Sequence, residues 1–365
     1  MTAFHADVLG SLLRPDFLKR AQEDRAAGRI DQAEFKRIED RAVDQAIAVQ
    51  EGAGVDLVTD GEMRRIGFAD QLWAAIEGIE PTDEQAPIPF YADGDEEDMT
   101  FAAPMRVVGR ISRRKMMTVE EFAYARARAR LPLKVTLPSP MLLFLLWSDE
   151  HSRAAYKDPF DLFADATTLM HEEAQALAEL GCQHIQIDAP DLGQLADPAQ
   201  REDWEKRGIP ADRVLTEGAE MCNAIADVPG VTFSLHLCKG NYRSRWIGAG
   251  GYDQIAKQVF PRLANFDRVM LEYDDERSGS FEPLADLPDD KVVVLGLLST
   301  KHDELESDEE LDAKIAEAAR FHPRDQLAVS TQCGFASVAV GNEISEATQE
   351  RKLRAVAELA ARTWG

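Results

Sequence analysis

The sequence predicts an α/β fold of the (β/α)8, or TIM, barrel class, and three observations carry that reading. Eight short runs rich in Val, Ile, Leu and Phe alternate with longer stretches of helical periodicity, the pattern of repeated βα units. The runs are apolar at nearly every position, as strands buried on both faces are. Residues able to do chemistry stand where these runs end, and in such a barrel the C-terminal ends of the strands carry the site. A chain of 365 residues has room for two average domains, but a barrel commonly uses this length as one, so a single domain over 1–365 is expected.

The first run, residues 4–9, leads into Gly10-Ser11-Leu12-Leu13-Arg14-Pro15. Two helices should follow. The second is announced by Asp31 and Glu34 as a capping box, carries an apolar stripe through Phe35, Ile38, Val43, Ile47 and Val49, and stops at Gly52 and Gly54. A second strand at 55–59 delivers Asp60-Gly61-Glu62. Between about 80 and 130 the alternation breaks, with prolines, an acidic run at 93–98, a strand-like 105–108 and a helix begun by Thr118 and Glu121; this reads as an insertion between strands two and three. The third strand is expected at 133–137 and the fourth at 184–187, ending in Asp188. Strand five carries His236 and Cys238, strand six ends at Glu272, strand seven spans 291–295 and leads to Ser299-Thr300-Lys301-His302, and strand eight leads to Cys333. Helices are expected at 160–180, 211–226, 252–263, after Ser307 and Glu310, and at 345–364.

A formal net charge of −25 gives the chain the same sign as nucleic acid and anionic membranes, which argues against both as partners. The longest apolar run, 141–147, is far too short to span a bilayer, and the start of the chain lacks the basic and apolar pattern of a secretory signal. Four widely spaced cysteines do not read as a disulfide framework, so a reducing cytoplasm is expected. A homo-oligomer is compatible with everything above.

His236 and Cys238 stand two apart in a strand and so project from one face, where imidazole and thiol converge. Glu272 and Cys333, at the ends of later strands, complete a His, Glu and two-Cys set suited to tetrahedral Zn2+. Glu62 or a solvent molecule is the alternative to Glu272 as the fourth ligand. Cys182 and Cys222 read as apolar filler. Glu62 and Asp188 either cap helices or face the barrel mouth; Arg14, Arg64, Arg65, Arg243 and Arg245 are either surface groups or clamps for an anion. Lys301 and His302 are either a plain loop pair or groups that transfer a proton. Phe68, Trp73, Phe144, Trp147 and Trp246 are available as walls for a second substrate.

Taken together, Leu9-Gly10-Ser11, Asp60-Gly61-Glu62, Ile187-Asp188 with Pro190, His236-Leu237-Cys238, Glu272 and Gln332-Cys333-Gly334-Phe335-Ala336 resemble the catalytic barrel of cobalamin-independent methionine synthases, above all the short, single-barrel members. The resemblance spans nearly the whole chain. It implies that His236, Cys238, Glu272 and Cys333 hold zinc, and that Ser11, Glu62 and Asp188 lie where the family grips the amine and carboxylate of homocysteine. It implies a zinc-dependent S-methyltransferase that activates a small thiol as a zinc thiolate and takes a methyl group from a donor. The chain departs from the long enzymes in having no second barrel for polyglutamylated folate, and in reading Lys301-His302 where they carry an acid and a histidine for the leaving group. Arg14 and the 241–245 segment add positive charge suited to a carboxylate, phosphate or sulfonate. Two alternatives therefore stand beside methionine synthesis: an epoxyalkane:coenzyme M transferase-like alkylation, and a barrel that binds zinc or a thiol without catalysis.

Overall fold

The computed structural model describes residues 4–83, 88–92, 95–99 and 105–365. Ten strands are described: β1 (Ile76–Pro81), β2 (Ile88–Ala92), β3 (Asp95–Met99), β4 (Met105–Arg113), β5 (Lys134–Pro138), β6 (His184–Asp188), β7 (Thr232–Leu237), β8 (Arg268–Glu272), β9 (Val292–Leu298) and β10 (Leu327–Thr331). β5 to β10 form one parallel sheet in sequence order, each joined to its neighbour. Their side chains are buried almost throughout, as the unbroken apolar runs require.

The two outer strands of this sheet are connected through the expected first and second strands. Asp7 N donates to Val329 O and Val329 N to His5 O, at 2.9 and 2.7 Å, tying residues 5–7 to β10. Asp56 N reaches Ala6 O at 3.0 Å, and Val58 bonds to Pro132 and Lys134, tying residues 56–58 to β5. Neither segment forms a ladder of its own; each makes isolated bridges, Ala6 with Val329 and Val58 with Leu133. The reason is local. The Asp56 carboxylate accepts from His5 N and Ala6 N, and Gln50 Oε1 accepts from Thr59 N, so side chains take backbone donors that a ladder would use.

Most expected helices form, and several caps act as the sequence implies. Asp31 accepts from Glu34 N at 2.8 Å and opens the helix Gln32–Ala53, which Gly54 closes at φ 88°. Ser307 and Ser345 cap Asp308–Ala318 and Glu346–Trp364. The Thr118 and Glu121 box does not form. Thr118 instead bonds to Glu173, and Glu121 pairs with Arg65, because both side chains are buried against partners stronger than a helix terminus. The 252–263 stretch is a string of short turns, Tyr252–Gln254, Ala256–Val259 and Phe260–Arg262.

The segment between residue 75 and β5 holds β1 paired antiparallel with β4, a hairpin of β2 and β3, and the helix Val119–Arg126. Residues 93 and 94 of the acidic run lie outside the described residues. Among the described residues, no helix is long and apolar enough to cross a membrane. Two apolar clusters hold the sheet. The larger one packs strands against helices; the smaller joins Leu9, Met270, Val294 and Ala328, with Met270 in register with His236, so it shares the face of the sheet on which the site stands.

Candidate metal centre and substrate cavity

Parallel register builds the site. Asp188 closes β6 directly beside His236 in β7, and Glu272 closes β8. Two residues beyond His236, Cys238 leaves the sheet on the same side, and Cys333 follows β10. One ligand atom from each of His236, Cys238, Glu272 and Cys333 lies within 4.8 Å of the other three, and all four residues are buried.

The Sγ atoms of Cys238 and Cys333 are 3.6 Å apart. Two sulfurs on one tetrahedral zinc, each at about 2.3 Å, would stand about 3.8 Å apart. His236 Nε2 is 3.7 Å from Glu272 Oε1, and both atoms are buried without a hydrogen-bond partner. Two orphaned polar atoms facing each other beside two thiols are costly unless a cation joins them, so this donor set fits zinc. The surrounding groups orient it. His236 Nδ1 lies 2.9 Å from Asp188 Oδ1, which leaves Nε2 for the metal position. Gly240 N donates to Cys238 Sγ at 3.3 Å and Lys239 N to Glu272 Oε2 at 3.2 Å. Tyr252 Oη spans β7 and β8, donating to Leu237 O and accepting from Glu272 N.

Electrostatics follow from burial. Burial alone would lower the His236 pKa, but the bond to Asp188, the Glu272 carboxylate standing 3.7 Å away and the charge of Cys333 reverse this and raise it to about 10. The two thiols lie within hydrogen-bonding reach of each other. The bond with Cys333 holds Cys238 well above the usual thiol range, and the same bond holds Cys333 below it.

Close approach at Gly193 lets the turn after β6 press against this centre. A Cβ there would lie 2.3 Å from Cys238 O and 2.8 Å from Leu237 C. Asn241 Nδ2 donates to Gly334 O at 2.6 Å and thereby ties the Cys238 loop to the Cys333 loop.

A cavity of about 340 Å³ opens beside the centre. Ser11, Glu62, Asp188, His236, Cys238 and Cys333 border it together. Glu62 holds a left-handed backbone, φ 55°, its N bonded to Asp60 Oδ1 at 2.8 Å; a glutamate pays about 1 kcal/mol or more for that conformation, which marks the position as constrained. Burial raises the Glu62 carboxyl above its ordinary value against the pull of Arg65, while Asp188 raises it further. Thr136 Oγ1 donates to Glu62 Oε1 at 2.8 Å, and Oε2 is buried without a partner.

Other expected site residues are not brought here. Arg14, expected to clamp an anion, is fully buried and does not line the cavity; its two terminal nitrogens donate to Leu12 O, Gly61 O, Ala336 O and Arg65 O at 2.7 to 3.4 Å, and Nε is buried without a partner. Lys301 pairs with buried Asp274 at 2.8 Å, and His302, about half exposed, lies 3.4 Å from Glu304. Neither is among the residues that line the cavity, although buried Lys301 lies near enough to Glu272 to feel its charge. Arg64 pairs with Asp40, and Arg243 and Arg245 with Glu97 and Glu343; Arg65, paired with Glu121, does stand behind the site, 3.7 Å from Glu62 Oε1. Of the expected aromatic walls, Phe68, Trp73 and Phe144 line the cavity and Trp147 and Trp246 do not. The sequence reading missed Phe90, Tyr91 and Trp204. The apolar Ile88-Pro89-Phe90-Tyr91 run inside an otherwise polar insertion was the available signal.

Residues 4–358 match the family described as cobalamin-independent synthase, catalytic domain. The chain belongs to the cobalamin-independent methionine synthase family. This is a family of methyltransferases, and the metal-ready cluster and adjoining cavity agree with methyl transfer to a thiol. Among family relatives, YxjG of Bacillus subtilis, described as an uncharacterized protein, is 35% identical over 99% of this chain and 95% of its own. The methionine synthase of Saccharolobus solfataricus is 24% identical over 90% of this chain and 87% of its own. A putative vitamin-B12 independent methionine synthase from Listeria monocytogenes superimposes with a TM-score of 0.73 at 25% identity, covering 99% of this chain and 98% of that one.

Proposed function

We propose that this protein is a zinc-dependent S-methyltransferase converting homocysteine to methionine, in a cytoplasmic (β/α)8 barrel of residues 1–365 with an insertion at about 80–130. The observation that carries the proposal is the pair of orphaned, buried atoms His236 Nε2 and Glu272 Oε1 facing each other beside two thiols 3.6 Å apart. His236, Cys238, Glu272 and Cys333 would hold the zinc. When bound, zinc lowers the pKa of a thiol that joins it, presenting sulfur as a nucleophile at neutral pH.

The protein's own groups do the rest. Glu62 and Asp188 receive the ammonium group of homocysteine, and Ser11 helps position its backbone end. Asp188 also orients His236. The apolar walls exclude water from the sulfur and the methyl group. All four cysteines are free, which supports a reducing compartment.

The coenzyme M alternative required basic groups to clamp a sulfonate. Among the described lining residues the only guanidinium is Arg207, which is paired with Asp203, so that alternative has lost its support. Elemental analysis of the purified protein, followed by calorimetric titration with homocysteine and with coenzyme M, tests the proposal. Stoichiometric zinc and binding of homocysteine with proton release are expected. Zinc-free protein from chelator-free purification, or preference for coenzyme M, would overturn it.

A further inference from the structure

The cavity has to admit a second substrate beside the thiol, and its walls favour one charge type. Phe68, Trp73, Phe90 and Phe144 present aromatic surface, and Phe144 packs on Trp204 with ring centroids 4.1 Å apart. Beyond Glu62 and Asp188, which the acceptor's ammonium takes, the carboxylates of Asp70 and Asp203 border the same space. Arg207, already bonded to Asp203 at 2.8 Å, lies 5.8 Å from the centre of the Phe144 ring, so the structure itself places a cation near this aromatic wall.

We propose that the methyl donor is an onium ion, a sulfonium or quaternary ammonium that carries the transferable methyl group; this rests on the thiol methyltransferase reading above. Aromatic faces attract such cations through the ring quadrupole, and carboxylates reinforce the attraction in a site with little water. A polyanionic donor meets the opposite: acidic walls and a guanidinium already committed.

The reaction balances without a general acid. The acceptor thiolate attacks the methyl carbon and the new S–C bond forms as the C–S or C–N bond of the donor breaks. The bonding pair stays on the departing sulfide or amine, which leaves neutral. No proton moves. A neutral methylamine donor would need its nitrogen protonated before departure. Lys301 and His302 stand outside the cavity, consistent with a donor that needs no such proton. Cation and thiolate also cancel their charges on the way to products, which a low-dielectric cavity favours relative to water.

The test is calorimetric titration of zinc-loaded and metal-free protein with trimethylsulfonium, tetramethylammonium and neutral tert-butanol, each with and without saturating homocysteine. At least one onium ion is expected to bind on the order of tenfold more tightly than tert-butanol, and Trp73→Leu and Phe90→Leu are each expected to reduce that preference. Which ion binds better identifies the donor as sulfonium or ammonium. Equal affinity for the ions and the alcohol, or tighter binding of the anionic donor methyltetrahydrofolate, overturns the proposal. Failure of homocysteine to bind overturns the acceptor reading instead, and the titrations made without homocysteine keep the two failures distinct.

Discussion

Replacing Asp188 by Asn separates the orientation of His236 from the charge behind it. Asp188 Oδ1 lies 2.9 Å from His236 Nδ1 and also accepts from Gln186 Nε2 at 2.7 Å, and both Asp188 and His236 are buried. With Nδ1 protonated toward Asp188, Nε2 keeps its lone pair for the metal. An amide oxygen in place of the carboxylate still accepts from Nδ1, so the ring keeps its direction. What disappears is the negative charge that raises the basicity of the imidazole. Loss of such a partner behind a metal-bound histidine costs about 10–100-fold in metal affinity, or about 1.4–2.8 kcal/mol. Burial limits screening by water, which places the expected loss in the upper half of that range. Competition between zinc-loaded protein and a chromophoric chelator measures the change directly. Denaturant unfolding of the metal-free proteins should show a lower midpoint for the variant at neutral pH, because the Asp188 carboxylate also favours the charged form of His236 in the folded state. A zinc affinity within about twofold of the parent protein would refute the assignment of Asp188 as the partner of a metal ligand.

Three further outcomes are expected. Glu62→Gln should weaken homocysteine binding on the order of tenfold or more, because a buried ammonium loses one charged partner; unchanged affinity in calorimetry would remove Glu62 from the acceptor site. In Gly193→Ala the helical φ of −64° suits alanine, yet the new Cβ meets Cys238 O at 2.3 Å. Moving that turn off β7 should cost on the order of 1–3 kcal/mol in denaturant unfolding and weaken zinc binding with it, and full retention of both would contradict the contact. Asp191 is fully buried, and burial pushes its pKa up to about 7 against the bond from Ser139 at 3.0 Å. Its folded pKa lies above the unfolded one, so its stabilising contribution is complete below about pH 4 and is lost as pH rises through about 7. Asp191→Asn cannot titrate; its stability relative to the parent should rise by on the order of 4 kcal/mol between those limits, and parallel stability profiles for the two proteins would refute the shift.

The order of strands and the identity of the metal-ready residues were legible in the sequence because both follow from short-range rules. Unbroken apolar runs mark strands buried on two faces, and six of the eight expected strands form the parallel sheet. A spacing of two in a strand puts His236 and Cys238 on one face whatever the rest of the chain does. Glu272 and Cys333 were reachable by the same logic, since parallel strands bring their ends to one rim. The first two strands were overestimated, because hydrophobic pattern does not reveal that Asp56 and Gln50 side chains would take the backbone donors.

Tertiary structure alone decided how the remaining polar groups are used. An arginine next to a strand end looks the same in sequence whether it binds a ligand or, like Arg14, satisfies four carbonyls. Asp188 faces a cavity and also bonds to His236 of the metal-ready cluster, a double role set by the register of β6 against β7. Lys301 and His302 are adjacent to the strand end where chemistry was expected, but a turn directs one to Asp274 and the other to solvent. The aromatic and acidic walls gather residues from positions 62 to 207, and the charge of the space they enclose exists only once those segments meet. Sequence determines which groups a strand delivers to its end; which partners they meet there depends on contacts between segments far apart in the chain, and those form only in the folded protein.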